Sequence, residues 1–200
     1  MPPRRLLVTG FGPFPSMPSN PSAALARHVA GLPRWRIAGV EVRAVVLTTS
    51  YGSLARELDP ALAERPDAVL MIGVAGRSRR VRVESRATAR RSTLFPDVAG
   101  TVAATSRGEA ARRTLVQPIR ALRALAARRV PCRPSRDAGR YLCNAAYFRA
   151  LGSGLPVLFV HVPKPGIPRP GLRSHLPPDR LGTALGDIAA ILLSVGRRGR

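Results

Sequence analysis

Lysine is almost absent from this chain. Lys164 is the only one among 33 basic residues, so the others are arginines, and 11 acidic residues leave a formal net charge of +22. Aromatic residues make up only 4% of the sequence, so the core must be built mainly from Leu, Val, Ile and Ala. Two cysteines, Cys132 and Cys143, are too few for a disulfide framework, and a reducing cytoplasm is the default setting. No apolar run approaches the roughly 20 residues that a membrane span needs. The opening Met1-Pro2-Pro3-Arg4-Arg5-Leu6-Leu7-Val8 enters a strand-like run and carries no signal-peptide core or cleavage site. Neither a G-x-G-x-x-G fingerprint nor a Walker A loop is present, so a nucleotide cofactor has no support.

The charge invites a nucleic-acid reading, but its distribution argues against a specific one. The arginines run from Arg4 to Arg200, alternating with alanine and leucine instead of forming a block, and no nucleic-acid-binding motif accompanies them. Weak, nonspecific adhesion to polyanions is the expectation, together with a compositional bias of the source.

Two hundred residues, 45% of them apolar, suit one domain over 1–196 with a basic, unstructured tail at 197–200. Arg5–Gly10 reads as a buried first strand, followed by a Gly/Pro loop with Phe11 and Phe14. Asn20 as N-cap and Pro21 at the first helical position open a helix that ends at Gly31. Val40–Leu47 reads as a second strand, Leu54–Ala63 as a helix kinked at Pro60, and Asp67–Gly73 as a buried third strand. This strand-helix-strand-helix-strand rhythm belongs to an α/β domain. An irregular stretch from Leu94 to Arg107 reads as a long loop near a site. Ser106–Arg129 has a helical pattern bent at Pro118. Val130–Ser135 reads as a strand in which Cys132 packs, and Leu155–Val162 as another buried strand. Pro163–Pro178 reads as a loop and Asp179–Val195 as the last helix.

Cys143 stands in Arg140-Tyr141-Leu142-Cys143-Asn144, where Asn144 reads as the N-cap of a short helix from Ala145 to Leu151. A thiol at a helix mouth has its pKa lowered toward a usable thiolate. A free cysteine is nevertheless most often a small buried hydrophobe. His161, at the carboxyl end of its strand, could be a proton carrier or a satisfied structural histidine. Glu84, a lone acid among arginines, could orient that histidine or sit in a solvated ion-pair cluster. Cysteine catalysis needs a thiol, a histidine and an orienting group, and parallel-sheet logic brings these three segments to one edge. Phe11 and Phe14 could be core anchors or could line a pocket at the carboxyl end of the first strand.

Several stretches resemble the pyroglutamyl peptidase type I (pyrrolidone-carboxylate peptidase) family, nearly end to end. They are Gly10-Phe11-Gly12-Pro13-Phe14, Asn20-Pro21-Ser22, Gly73-Val74-Ala75-Gly76-Arg77, Glu84, Ala138-Gly139-Arg140-Tyr141-Leu142-Cys143-Asn144 and His161-Val162-Pro163. The resemblance implies a three-layer α/β/α sandwich with a mixed, largely parallel sheet. It implies a cysteine peptidase that removes an N-terminal pyroglutamyl residue from peptides without a metal or other cofactor, and it allows for a homo-oligomer. Cys143 would be the nucleophile, His161 the general acid/base and Glu84 the orienting acid. Phe11 and Phe14 would face the lactam ring, with Thr48, Val74, Phe95 and Leu142 around it.

Three departures mark this chain as divergent. Val74 replaces the family's glutamine, Ser85-Arg86-Ala87 follows Glu84 in place of Arg-Val-Ala, and Leu94-Phe95-Pro96-Asp97-Val98 replaces Arg-Ile-Pro-Asp-Asn. Valine offers no partner to a lactam N–H or C=O, which would weaken pyroglutamyl specificity. A weakly active or inactive relative that binds a cyclic amide or peptide N-terminus, and a basic polyanion-binding protein, remain as other classes.

Overall fold

The structure, a computed structural model, describes residues 2–14, 17–103, 110–164 and 177–196. Its elements run β1 (Arg4–Phe11), α1 (Pro21–Ala30), α2 (Arg34–Ile37) and β2 (Val40–Leu47). A helical stretch follows, made of α3 (Tyr51–Ser53), a π-helical turn at Leu54–Leu58 and α4 (Asp59–Ala63). Then come β3 (Ala68–Ala75), β4 (Val81–Glu84), β5 (Arg86–Ala87), β6 (Arg112–Arg113) and α5 (Pro118–Ala127). The chain ends with β7 (Cys132–Ser135), α6 (Leu142–Leu151), β8 (Val157–Pro163) and α7 (Pro178–Gly196).

The main sheet has the order β2-β1-β3-β8-β4-β7. β2, β1, β3 and β8 are mutually parallel, whereas β4 runs antiparallel to β8 and β7 lies parallel to β4. The sheet is therefore mixed and largely parallel, as expected. Both of its faces are covered, which is why β1, β3 and β8 read as nearly continuous apolar runs. Leu6, Val8, Leu70, Ile72, Leu158 and Val160 point to one core, shared with α1, α5 and α7. Leu7, Val69, Met71, Val157 and Phe159 point to the other, shared with α4, α6 and the π-helical turn.

Local chemistry sets several element ends. Asn20 caps α1 by accepting from the Ser22 N–H at 3.1 Å, and Pro21 opens the helix. The kink expected at Pro60 is taken up by the π-helical turn just before it. Proline has no N–H for the carbonyl four residues back and its ring crowds that group, so the helix widens there. The long helix expected over Ser106–Arg129 is not found. Pro118 opens α5 rather than bending a longer helix, because the first helical N–H has no intrahelical acceptor in any case. Residues 112 and 113 are extended and pair with β5. The segment 104–109, most of the expected loop over 163–178 and the tail 197–200 lie outside the described residues. No described helix is long and apolar enough to cross a membrane.

Asp187 ties α7 to its neighbours. Its carboxylate accepts from Arg34 on α2 at 2.5 Å and from Arg128 Nε, at the end of α5, at 2.8 Å. Burial alone would raise its pKa, but the two guanidiniums outweigh that and hold it below the usual carboxylate range. A depressed folded pKa stabilises the protein above the unfolded value of about 3.9 and ceases to do so as pH falls through the folded value. Asp187→Asn is expected to lower stability by roughly 1 kcal/mol at neutral pH, a figure discounted for the partly exposed arginines. In urea unfolding the difference from the parent should shrink as the pH is lowered below the unfolded value of about 3.9. A difference that stays constant with pH would show that the pair acts through packing alone.

Candidate active site

The register of the sheet sets up the site. Gly73 on β3 pairs with His161 on β8, His161 pairs with Arg82 on β4, and Arg82 pairs with Arg133 on β7. Residues paired across a sheet share a face, so these four positions form one row above the core that α6 covers. The next row down carries Met71, Phe159, Glu84 and Ser135. Cys143 enters from α6, directly over Gly73. A Cβ on Gly73 would lie 3.1 Å from Cys143 Sγ and 2.7 Å from the Phe159 ring. Glycine is thus the residue that lets a helix-borne sulfur approach the strand.

His161 Nδ1 lies 2.9 Å from Glu84 Oε1, and both groups are buried. Glu84 is 0% exposed, so its reading as a solvated surface acid is overturned. It alternates with Val81 and Val83, which face the opposite core. Arg82 Nε also approaches Glu84 Oε1, at 3.1 Å, although its N–H is not aimed along a hydrogen bond. The Arg82 guanidinium donates to Ser135 Oγ at 2.7 Å and to the Asp137 carbonyl. Tyr147 on α6 donates its hydroxyl to the Glu84 carbonyl at 2.9 Å and holds the end of β4. Beneath His161 lies Phe159, with ring centroids 4.7 Å apart.

Cys143 is the second residue of α6, because the helix begins at Leu142 with Tyr141 as its cap. Asn144 does not cap it. Its amide donates to the Thr88 and Arg90 carbonyls and accepts from the Thr88 N–H, tying the helix start to the 88–90 segment. The expected lowering of the thiol pKa is reversed as well. Burial, and then the negative charge of Glu84, push the Cys143 thiol up to about 12, against the backbone N–H groups of Cys143 and Val74 that pull it down. Both effects favour the neutral thiol, and the sulfur shares its cavity with His161. Cys132 is a second free cysteine whose sulfur donates to the Leu122 carbonyl, on the opposite core.

A cavity of about 260 Å³ opens on Cys143 and His161. Phe11, Phe14, Val74 and Leu142 also line it. Phe11 is held where Gly10 packs against the start of α1, with its N–H donating to Ser22 Oγ at 3.0 Å. Val74 borders the cavity, but its side chain packs on the opposite core. Two expected residues do not line the cavity. Thr48 is exposed and binds Glu57 through both its N–H and its hydroxyl at 2.7 Å, while Thr49 takes the lining position. Phe95 is 63% exposed. The loop that carries it is built around buried Asp97, which accepts from the N–H groups of Tyr51, Ala99 and Thr101. Burial raises the Asp97 pKa, but those bonds outweigh it and hold the carboxyl low. Among the described residues no group of three His, Cys, Asp or Glu side chains could hold a metal ion.

Arg82, Tyr147 and Asp97 were not singled out from sequence. Arg82 had a weak signal, the Val-Arg-Val-Glu alternation that puts Arg82 and Glu84 on one face. Tyr147 acts through the distant Glu84 carbonyl, and Asp97 joins its own loop to the distant Tyr51 N–H, links that spacing does not reveal.

A model of the pyroglutamyl peptidase family matches residues 4–172. The chain is 34% identical over 200 residues to a pyrrolidone-carboxylate peptidase of Chromobacterium violaceum, covering 96% of this chain and 91% of that one. It is likewise 34% identical to one of Thermococcus kodakarensis, over 80% of this chain and 81% of the other. Among solved structures, pyrrolidone carboxyl peptidase from Thermus thermophilus superposes with a TM-score of 0.79 at 31% identity, covering 91% and 97% of the two chains. The Thermococcus litoralis enzyme shares the fold, with a TM-score of 0.84 at 23% identity, covering 98% and 96%. The chain belongs to the pyroglutamyl peptidase family of cysteine peptidases.

Gly73→Ala is expected to displace Cys143 Sγ or the Phe159 ring. A misplacement near 1 Å at a reacting group costs roughly 100-fold, so kcat/KM should fall at least that far while the folded structure persists. Steady-state kinetics with circular dichroism would check this. Full activity in the variant would show that the sulfur does not work from above Gly73.

Proposed function

We propose that this protein releases an N-terminal pyroglutamyl residue from peptides, with Cys143 as nucleophile, His161 as proton carrier and Glu84 as the carboxylate that orients it. The observation that carries this reading is the buried 2.9 Å contact between His161 Nδ1 and Glu84 Oε1 in a site whose cavity also opens on Cys143. A carboxylate at Nδ1 accepts the proton there and leaves Nε2 with its lone pair free.

The chemistry then balances in two halves. Cys143 Sγ attacks the carbonyl carbon of the pyroglutamyl residue as the S–H proton passes to His161 Nε2. The imidazolium returns that proton to the leaving nitrogen, the C–N bond breaks, and a thioester remains on Cys143. Water, deprotonated by His161, attacks the thioester, and the thiol recovers its proton as free pyroglutamate departs. The apolar end of the cavity, at Phe11 and Phe14, suits a flat, uncharged lactam ring. Two unpaired cysteines suit a reducing compartment, and we assign the reaction to the cytoplasm.

Release of a coumarin dye from its pyroglutamyl amide tests the reading. Cys143→Ser should abolish release. His161→Ala should lower kcat by roughly 10²–10⁴-fold, the usual weight of positioned acid–base catalysis. Glu84→Gln should cost less than the loss of the imidazole itself. A Glu84→Gln enzyme with unchanged turnover would remove Glu84 from the proposed machinery, and no release by the parent would remove the pyroglutamyl substrate.

A further inference from the structure

We infer that the arginine-lined cleft beside the catalytic cavity is a carboxylate subsite for the residue following the cleaved bond, which makes acidic pyroglutamyl peptides the preferred substrates. This rests on the pyroglutamyl reading above.

The sheet order gives the site a direction. Phe11 ends β1, Cys143 sits over Gly73 on β3, His161 follows on β8, and Arg82 and Arg133 follow on β4 and β7. The lactam belongs at the phenylalanine end. His161 must hand its proton to the leaving nitrogen, so the departing chain lies on the histidine side. The strands next met in that direction are the ones that carry Arg82 and Arg133.

A cleft of about 290 Å³ is found there. It shares Ala75 and Arg82 with the catalytic cavity, so the two spaces adjoin. Arg77, Ser78 and Arg133 complete its polar lining, and no acidic side chain takes part. Arg82 is already engaged by Glu84, Ser135 and the Asp137 carbonyl. Arg77 and Arg133 have no ion-pair partner among the described residues. The loop that presents Arg77 is closed by the Ser78 N–H donating to the Ala75 carbonyl at 3.0 Å and by Ser78 Oγ donating to the Arg80 carbonyl at 2.7 Å. Two uncommitted guanidiniums converging on a concave space are complementary to a carboxylate, which they can hold through paired N–H donors.

That carboxylate could be the side chain of the next residue or the C-terminus of a dipeptide, and three substrates separate these. They are pyroglutamyl-glutamate amide, its isostere pyroglutamyl-glutamine amide, and pyroglutamyl-glutamine with a free C-terminus. The glutamate amide is expected to exceed the glutamine amide in kcat/KM by about tenfold, the combined weight of two partly exposed ion pairs, with the gap narrowing at high salt. An advantage confined to the free-acid dipeptide would assign the same cleft to the C-terminal carboxylate. In an Arg77→Gln/Arg133→Gln variant either ratio should fall to near one. Because the readout is a ratio within one enzyme, a general loss of activity cancels. A ratio that survives the double substitution would trace to the overall charge of +22 and overturn the subsite. Equal rates on all three in the parent would overturn the subsite while leaving pyroglutamyl release intact. No cleavage of any of them would overturn the underlying reading, and the subsite with it.

Discussion

Glu84 is a carboxylate with no exposure to solvent, and a buried charge is tolerated only where partners surround it. Its partners come from two directions on one oxygen, His161 from β8 and Arg82 from its own strand. The first comes from the pairing of β4 with β8, in which β4 runs against its neighbour. That reversal sets Arg82 opposite His161 and puts Glu84 one row deeper, opposite Phe159, with all four on the same face. The Phe159 ring then underlies the site. It lies 4.7 Å from the His161 ring, 5.4 Å from Tyr147 and 6.3 Å from Phe11, centroid to centroid. In a chain with few aromatics, this group links His161, the strand-holding tyrosine and the apolar end of the cavity. The absent side chain at Gly73 leaves room above that platform for the Cys143 sulfur.

The parts of this arrangement that could be read from the sequence are those with a local signature. β1, β3 and β8 are apolar throughout because they are covered on both faces, and the α1 cap is written in Asn20-Pro21. The motifs around Cys143, His161 and Glu84 could be matched to a family without knowing how they meet. What escaped has non-local causes. β4 is four residues long and alternates valine with charge, a pattern shared with many solvated strands, and only its burial between β8 and β7 reveals Glu84 as internal. Asn144 looks like the cap of α6, yet the helix starts at Leu142 and the Asn144 amide is committed to residues 88–90, far away in sequence. The family resemblance places Phe95 around the pocket, but Asp97 folds its loop so that the ring faces outward. Val74 borders the cavity through a position whose side chain serves the other core, so its polarity alone says little about lactam pairing.

Acids are scarce, and several of the described ones have a visible task. Asp97 organises a loop, Asp187 joins three helices, Asp59 meets Arg149 across two helices, and Asp67 accepts from the Arg5 N–H at the start of β1. With only 11 acids against 33 basic residues, most guanidiniums cannot find a carboxylate. Some are used without one. Arg112 lies over the Phe148 ring at 4.0 Å and donates to the Phe148 carbonyl at 3.0 Å. The excess of positive charge is thus built into the composition, and only its placement beside the site bears on chemistry.

The thiol shows which of two opposing effects prevails. A helix start favours an anion by roughly 0.3–1 kcal/mol in ordinary settings. Burial and the charge of Glu84 act the other way and carry the Cys143 pKa up to about 12, a rise that outweighs the dipole several-fold. Burial and that charge both favour the neutral thiol in the free protein. In the reaction proposed above, the ion pair of the site would arise only as the sulfur begins to bond to carbon and its proton reaches the imidazole. At that moment the positive charge would appear on His161, against a carboxylate already in place at 2.9 Å. Under those proposed roles, an environment that disfavours charge on the free sulfur and receives it on the imidazole would stabilise the transition state more than the ground state, which is the condition for catalysis.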